Sequence, residues 1–214
     1  MRTLKNGFGA LILSIALFSC GNNDITNGSN NSSLATGGTL NGTIINYSAE
    51  VFDAIEFVDN QYNGISYGRC TPTADGKFSI KLSAPTTFKG DFSAISGVSG
   101  ITISDPTTKY ADAQAWVYKS NIGAGVLYKG NFMTLTSGSI PKGSTVSGLR
   151  YVDKNCTIKG SYSYDNTTLT FDLTLKKGWN EMVIIGLNSS TVSSLTTIPA
   201  GLQWRYFSGS ENGN

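Results

Sequence analysis

Histidine is absent from all 214 residues. That removes the commonest general base, the commonest metal ligand and the side chain that titrates near neutral pH. Ser-His-Asp and Cys-His catalysis are excluded, as are His-containing zinc sites. Charge is scarce as well: Asp, Glu, Lys and Arg make up 14% of the chain, where about a quarter is usual. Beyond residue 20 there is no long apolar run. The longest, Met182 to Leu187, falls far short of the roughly 20 residues a membrane-spanning helix needs. No stretch repeats apolar residues at i, i+3, i+4 and i+7 between helix caps. No D-x-[DN]-x-[DN]-G calcium loop occurs. Gly123-Ala124-Gly125 resembles part of a phosphate loop, but the trailing Gly, Lys and helix are missing, so it reads as a turn. No cofactor, no metal and no catalysis are expected. The alternative is a carbohydrate-active protein with a pair of carboxylates, since glycosidases work without histidine.

Gly, Ser, Thr and Asn fill the gap left by the missing charges, and aromatics reach 11%. This is the profile of a secreted all-β protein. The N-terminus agrees with it. Met1 to Lys5 is basic, Phe8 to Phe18 is an apolar run, and Ser19-Cys20-Gly21 follows. That order is the pattern of a secretory signal peptide.

The cysteine at the cut resembles the lipobox of bacterial lipoproteins. The resemblance implies a diacylglyceryl thioether on Cys20, cleavage before it and acylation of the new amine. Several acyl chains exceed the two-signal threshold for stable membrane anchoring, at about 0.8 kcal/mol per buried CH₂. In that family an Asp directly after the cysteine retains the protein at the inner membrane. Gly21 and Asn22 stand here, so the outer membrane is expected. Cleavage would take Arg2 and Lys5 with it, leaving 14 basic against 14 acidic residues. A neutral chain with interspersed charge carries no nucleic-acid footprint.

Residues 1–19 are thus expected as the signal peptide and 20–38 as the lipidated cysteine with a Gly/Ser/Asn tether. Residues 39–207 form the ectodomain and 208–214 a disordered tail. Within the ectodomain, period-2 alternation dominates. Leu169, Phe171, Leu173 and Leu175 point one way, and Thr168, Thr170, Asp172, Thr174 and Lys176 the other. Cys156 to Tyr164 alternates similarly, and Asp165-Asn166 joins the two runs as a hairpin turn. Ten further strands are expected, at 40–47, 51–58, 64–70, 77–82, 101–103, 113–119, 125–129, 145–152, 181–187 and 202–207. Asn63-Gly64 and Asp75-Gly76 read as turns, and residues 86–95 have room for one helical turn. About a dozen short strands at this spacing predict an antiparallel β-sandwich, or else a barrel. A closed barrel would allow a third function, carriage of an apolar ligand.

Gly42-Thr43-Ile44 and Ala74-Asp75-Gly76-Lys77-Phe78-Ser79-Ile80 resemble the opening strand and the hairpin of transthyretin-like, carboxypeptidase-regulatory β-sandwiches. Leu175-Lys176-Lys177-Gly178-Trp179-Asn180 is similar to a turn in small bacterial lipoproteins of unassigned role. These resemblances imply a fold unit and no reaction.

Four aromatics, Trp116, Tyr118, Trp204 and Tyr206, are candidates for stacking on a ligand. Trp and Tyr pair a flat apolar face with a polar edge, which suits a sugar ring or a protein interface. Parity places Gln114, Trp116 and Tyr118 on one face of their strand and Ala113, Ala115 and Val117 on the other. A core plug is the competing role for Trp116, and Trp179 reads as a core anchor. The acids Asp53, Glu56, Asp59, Asp105, Asp112, Asp153 and Asp165 read as solvated or turn-forming carboxylates. With Cys20 acylated, Cys70 and Cys156 remain. A disulfide between them would close a loop of about 86 residues, worth about 4 kcal/mol. Cys156 shares the apolar face with Ile158, which favours free thiols. The expected partners are the membrane, through the lipid, and a glycan or an envelope protein.

Overall fold

The structure, a computed structural model, describes residues 38–59, 64–131, 143–188 and 190–207. The expected leader, Cys20, the tether through residue 37, Tyr62, Asn63 and the tail from Ser208 lie outside them. None of the helices among the described residues is long and apolar enough to cross a membrane.

Fourteen strands follow one another in the described residues. They are β1 (Thr39–Thr43), β2 (Ala54–Asp59), β3 (Ser66–Cys70), β4 (Lys77–Lys81), β5 (Gly90–Asp91), β6 (Ile101–Ile103) and β7 (Lys109–Lys119). Then come β8 (Ile122–Asn131), β9 (Thr145–Val152), β10 (Cys156–Tyr164), β11 (Thr167–Leu175), β12 (Gly178–Asn188), β13 (Thr191–Leu195) and β14 (Gln203–Phe207). A single 3-10 turn, Phe92–Ala94, is capped by the Asp91 side chain. It falls within the stretch expected to hold one helical turn.

The architecture is all-β, with packed sheets. β1 and β4 form a small antiparallel sheet in which Gly42 faces Phe78. The remaining strands form a second sheet with the path β3-β2-β7-β8-β9-β12-β13-β11-β10-β6, and β14 adds to β8. The path has two free ends and does not close into a barrel, so the condition for an internal apolar-ligand carrier is not met. Antiparallel pairing prevails with one correction: β13 runs parallel to β11, from Thr168↔Thr191 to Asp172↔Leu195.

Local chemistry explains the best-formed hairpin. Asp165 and Asn166 both take positive φ, 44° and 65°, which small polar side chains tolerate. That turn sets Tyr164 opposite Thr167 and keeps β10 and β11 in register for nine pairs. Leu169, Phe171, Leu173 and Leu175 are then all buried on one face, as their spacing predicts. They pack with Ile158, Cys156, Val152, Met182 and Phe92 in one core cluster.

A larger cluster lies elsewhere in the sandwich. It joins Leu40, Phe78 and Ile80 of the small sheet to Phe57, Tyr67, Ala115, Val117, Leu127, Trp179 and Trp204. Trp179 is its anchor, as expected. The ring is 1% exposed, meets Tyr67 edge-on at 5.0 Å and Tyr151 at 5.5 Å, and its Nε1–H donates to the Ser83 carbonyl at 2.9 Å. Full burial of such a ring contributes roughly 1.5–3 kcal/mol. The first and last described strands meet here. Ile44 and Trp204 form a parallel bridge, and the Ile45 N–H donates to the Trp204 carbonyl at 2.9 Å.

Candidate ligand-binding face

β7 is the hub of the large sheet, and its two faces have opposite characters. Ala111, Ala113, Ala115 and Val117 look into the larger core. Tyr110, Asp112, Gln114, Trp116 and Tyr118 occupy the other face, so the expected parity holds. Cross-strand registers extend that face into a row of neighbours: Arg69 on β3, Glu56 on β2, Trp116 on β7, Val126 on β8 and Phe207 on β14. Trp116 stands in the middle of the row and is 37% exposed. Val126 and Phe207 are half-buried beside it, against Tyr128 and Val146. Tyr118, also half-buried, lies under the Arg69 guanidinium, 5.1 Å from its ring centre. Burial raises the Tyr118 phenol above its ordinary value, and the charge and hydrogen bond of Glu56 add to it.

The four candidate aromatics do not act together. Trp204 is buried between Phe57 and Phe78, with ring centres at 6.0 and 5.4 Å. Tyr206 leans on Phe52 at 5.3 Å and gives its hydroxyl proton to the Ala124 carbonyl at 2.7 Å. Both belong to the larger core, because on β14 the residues that share a face with Trp116 are Gln203, Arg205 and Phe207. The aromatic that sequence reasoning missed is therefore Phe207.

Beside Trp116 the sheet opens. Ala113 of β7 pairs with Leu149 of β9, but Ala115 pairs with Leu127 of β8. Two residues on from Leu127, Lys129 has left β7 and pairs with Ser147 of β9. Three strands thus meet, and Gln114, Tyr128 and Gly148 face the gap between them. Each keeps a partner on its outer side, Val58, Arg205 and Met182 respectively. A cavity of about 70 Å³ fills the gap, with Phe57, Leu127, Trp204 and Met182 among its apolar walls. Gln114 Nε2 donates to the Tyr128 hydroxyl oxygen at 3.2 Å, while Gln114 Oε1 is buried and has no partner. A Cβ added to Gly148 would meet nothing within 4 Å.

Two buried ion clusters brace the junction. Arg150 grips Asp112 through Nε at 2.7 Å and Nη2 at 3.0 Å, and Lys89 Nζ reaches the same carboxylate at 3.1 Å. Arg150 also lies 4.7 Å over the Tyr110 ring, which stacks on Phe92 at 5.0 Å. Burial alone would raise the Asp112 carboxyl, but the two cations outweigh it and hold it below the ordinary carboxylate value. The second cluster joins Glu181 to Lys129 at 2.6 Å and to Ser147 at 2.5 Å. Asp112 is thus neither solvated nor in a turn. Its partner Arg150 lies 38 residues away, which sequence spacing cannot reveal. Asp53, Asp105 and Asp153 match their expected roles, accepting backbone N–H bonds from Ser120, Thr107 and Lys109.

Cys70 and Cys156 are free thiols, and they pack against different core clusters. Burial pushes the Cys70 thiol up from its ordinary value. No family model, curated protein or solved structure matches this chain.

Proposed function

We propose that this protein is a lipid-anchored envelope protein without catalytic function, and that the Trp116 face of its ectodomain binds a glycan. One observation carries the ligand reading. An indole 37% exposed stands mid-sheet, on a row that also holds Val126, Phe207 and the Arg69–Tyr118 stack. A flat apolar patch edged by hydrogen-bonding groups suits a pyranose ring, which has an apolar face and a hydroxyl rim. The cavity beside it supports binding over hydrolysis. Asp112 is the one carboxylate on its wall, and both its oxygens already serve cations. Hydrolysis by paired carboxylates would need a second. The anchor rests on the sequence at Cys20.

Two experiments test the halves separately. Cells fed a radioactive fatty acid should label the wild type and not Cys20→Ala; equal labelling ends the anchor reading. Detergent-solubilised full-length protein should bind a subset of a glycan array, and Trp116→Ala should lose that binding. An array blank for the wild type removes the glycan platform.

A further inference from the structure

The junction cavity has a size and a chemistry of its own. At about 70 Å³ it is roughly half the 150 Å³ apolar cavity known to accept benzene. A group of three or four heavy atoms fits that space. Its walls are mostly apolar: Phe57, Leu127 and Trp204 close it from the core side of the gap, while Gln114, Tyr128 and Gly148 line it on the side of Trp116. Into them projects one unmatched polar atom, on a Gln114 side chain whose residue is only 7% exposed. An unsatisfied buried amide oxygen costs about 1–3 kcal/mol, so an occupant that supplies a donor recovers that cost. Turning the Gln114 amide over would exchange the orphan acceptor for an orphan donor. The fitting occupant therefore carries a donor, an acceptor and a small apolar end. An acetamido group has all three, in its N–H, C=O and methyl.

Position adds the rest. Gln114 and Trp116 lie two residues apart on the same strand face, a spacing of about 7 Å. An acetamido substituent on a ring resting there extends over most of that spacing. We infer that the cavity takes the acetamido group of an N-acetylhexosamine whose ring rests on Trp116. This deepens, and rests on, the reading of the Trp116 face as a glycan platform. Gly148 is part of the cradle: it lines the cavity, and a Cβ there would meet nothing within 4 Å.

The experiment is a calorimetric titration of detergent-solubilised full-length protein with di-N-acetylchitobiose and with cellobiose, its counterpart lacking acetamido groups. Chitobiose should bind at least tenfold more tightly than cellobiose. Gln114→Leu removes the orphan amide, and Gly148→Val fills the cavity. Each should bring chitobiose binding down to the cellobiose level, with thermal unfolding checked in parallel. Acetamide should compete with chitobiose, and acetate, of the same shape but charged, should not. If the two disaccharides bind equally, or both variants keep the preference, the acetamido assignment is overturned and the platform stands. If acetate competes as well as acetamide, the cavity is an anion site and the assignment fails. If neither disaccharide binds, the platform and the assignment fall together.

Discussion

Asp112 and Arg150 face each other across β7 and β9 and are joined by two hydrogen bonds, of 2.7 and 3.0 Å, with side chains 10% and 3% exposed. Lys89 completes a cluster of two cations and one carboxylate. The cluster sits where β7 turns from one partner strand to another, so it fixes the register on which the Trp116 face depends.

The carboxylate serves both cations, so its loss should cost most. Asp112→Asn leaves two buried positive charges, whereas Arg150→Met leaves a Lys89–Asp112 pair. Breaking a buried ion pair costs about 3–5 kcal/mol. Arg150→Met should fall in that range and Asp112→Asn at or above its top. Urea unfolding curves check the ranking, and a milder effect for Asp112→Asn would show that the cluster is not organised around the carboxylate.

Acid should find the same cluster. The folded-state value of Asp112 is depressed below that of the unfolded chain, about 3.9. Between the two values the unfolded state binds more protons, so stability rises with pH there. The contribution of Asp112 is complete above about pH 4 and is lost as pH falls through the folded value. Asp105, held low first by its hydrogen bond from Thr107, is shifted in the same direction. Asp112→Asn should flatten the stability profile below about pH 4. A profile as steep as that of the wild type would move the acid sensitivity to other groups.

Gly160 of β10 has φ +114°, and a Cβ there would sit 1.9 Å from the Gly100 carbonyl oxygen. Neither demand can be met by an L side chain without moving backbone. Gly160→Ala should destabilise by about 1–3 kcal/mol through strain and detach β6, which pairs with β10 at this residue. Amide hydrogen exchange at Ile101 to Ile103 is the measurement. Unchanged protection there would mean that β6 and β10 make room for the methyl group without opening.

The thiols give a count. In Cys20→Ala protein, only Cys70 and Cys156 remain. Denatured without reductant, it should titrate two thiols. In the native state Cys70 should react first, since Cys156 is 2% exposed. A titre of zero would establish the disulfide instead.

Much of the fold could be read from alternation alone. The β10–β11 hairpin carried its own turn chemistry and one clean apolar face, so its nine pairs were legible. β13 was not, because Thr191 to Leu195 is mostly polar and has no period; it exists through its neighbours β11 and β12. The Gly123-Ala124-Gly125 turn was misplaced by a few residues. Ser120 and Asn121 make the turn, at φ 50° and 67°, and the glycines lie inside β8, where its register with β7 shifts. On the site, parity placed Trp116 with Gln114 and Tyr118. It could not say which face of β14 looked inward, so Trp204 and Tyr206 stood in for Phe207. The cavity had no local signal at all, since it arises from a handover among three strands far apart in sequence.

The bridge between Ile44 and Trp204 imposes an order in time. Strands made first wait for strands made last: the chain just after β1 bridges to β14, and β7 needs β9 before its junction closes. Such non-local pairing folds slowly, because long loops must close before contacts reward them. A nascent chain that stops before Gln203 is therefore an unfinished sheet with apolar edges, and such species aggregate. Until Gln203 has been made, the chain must stay unfolded or shielded over nearly its whole length.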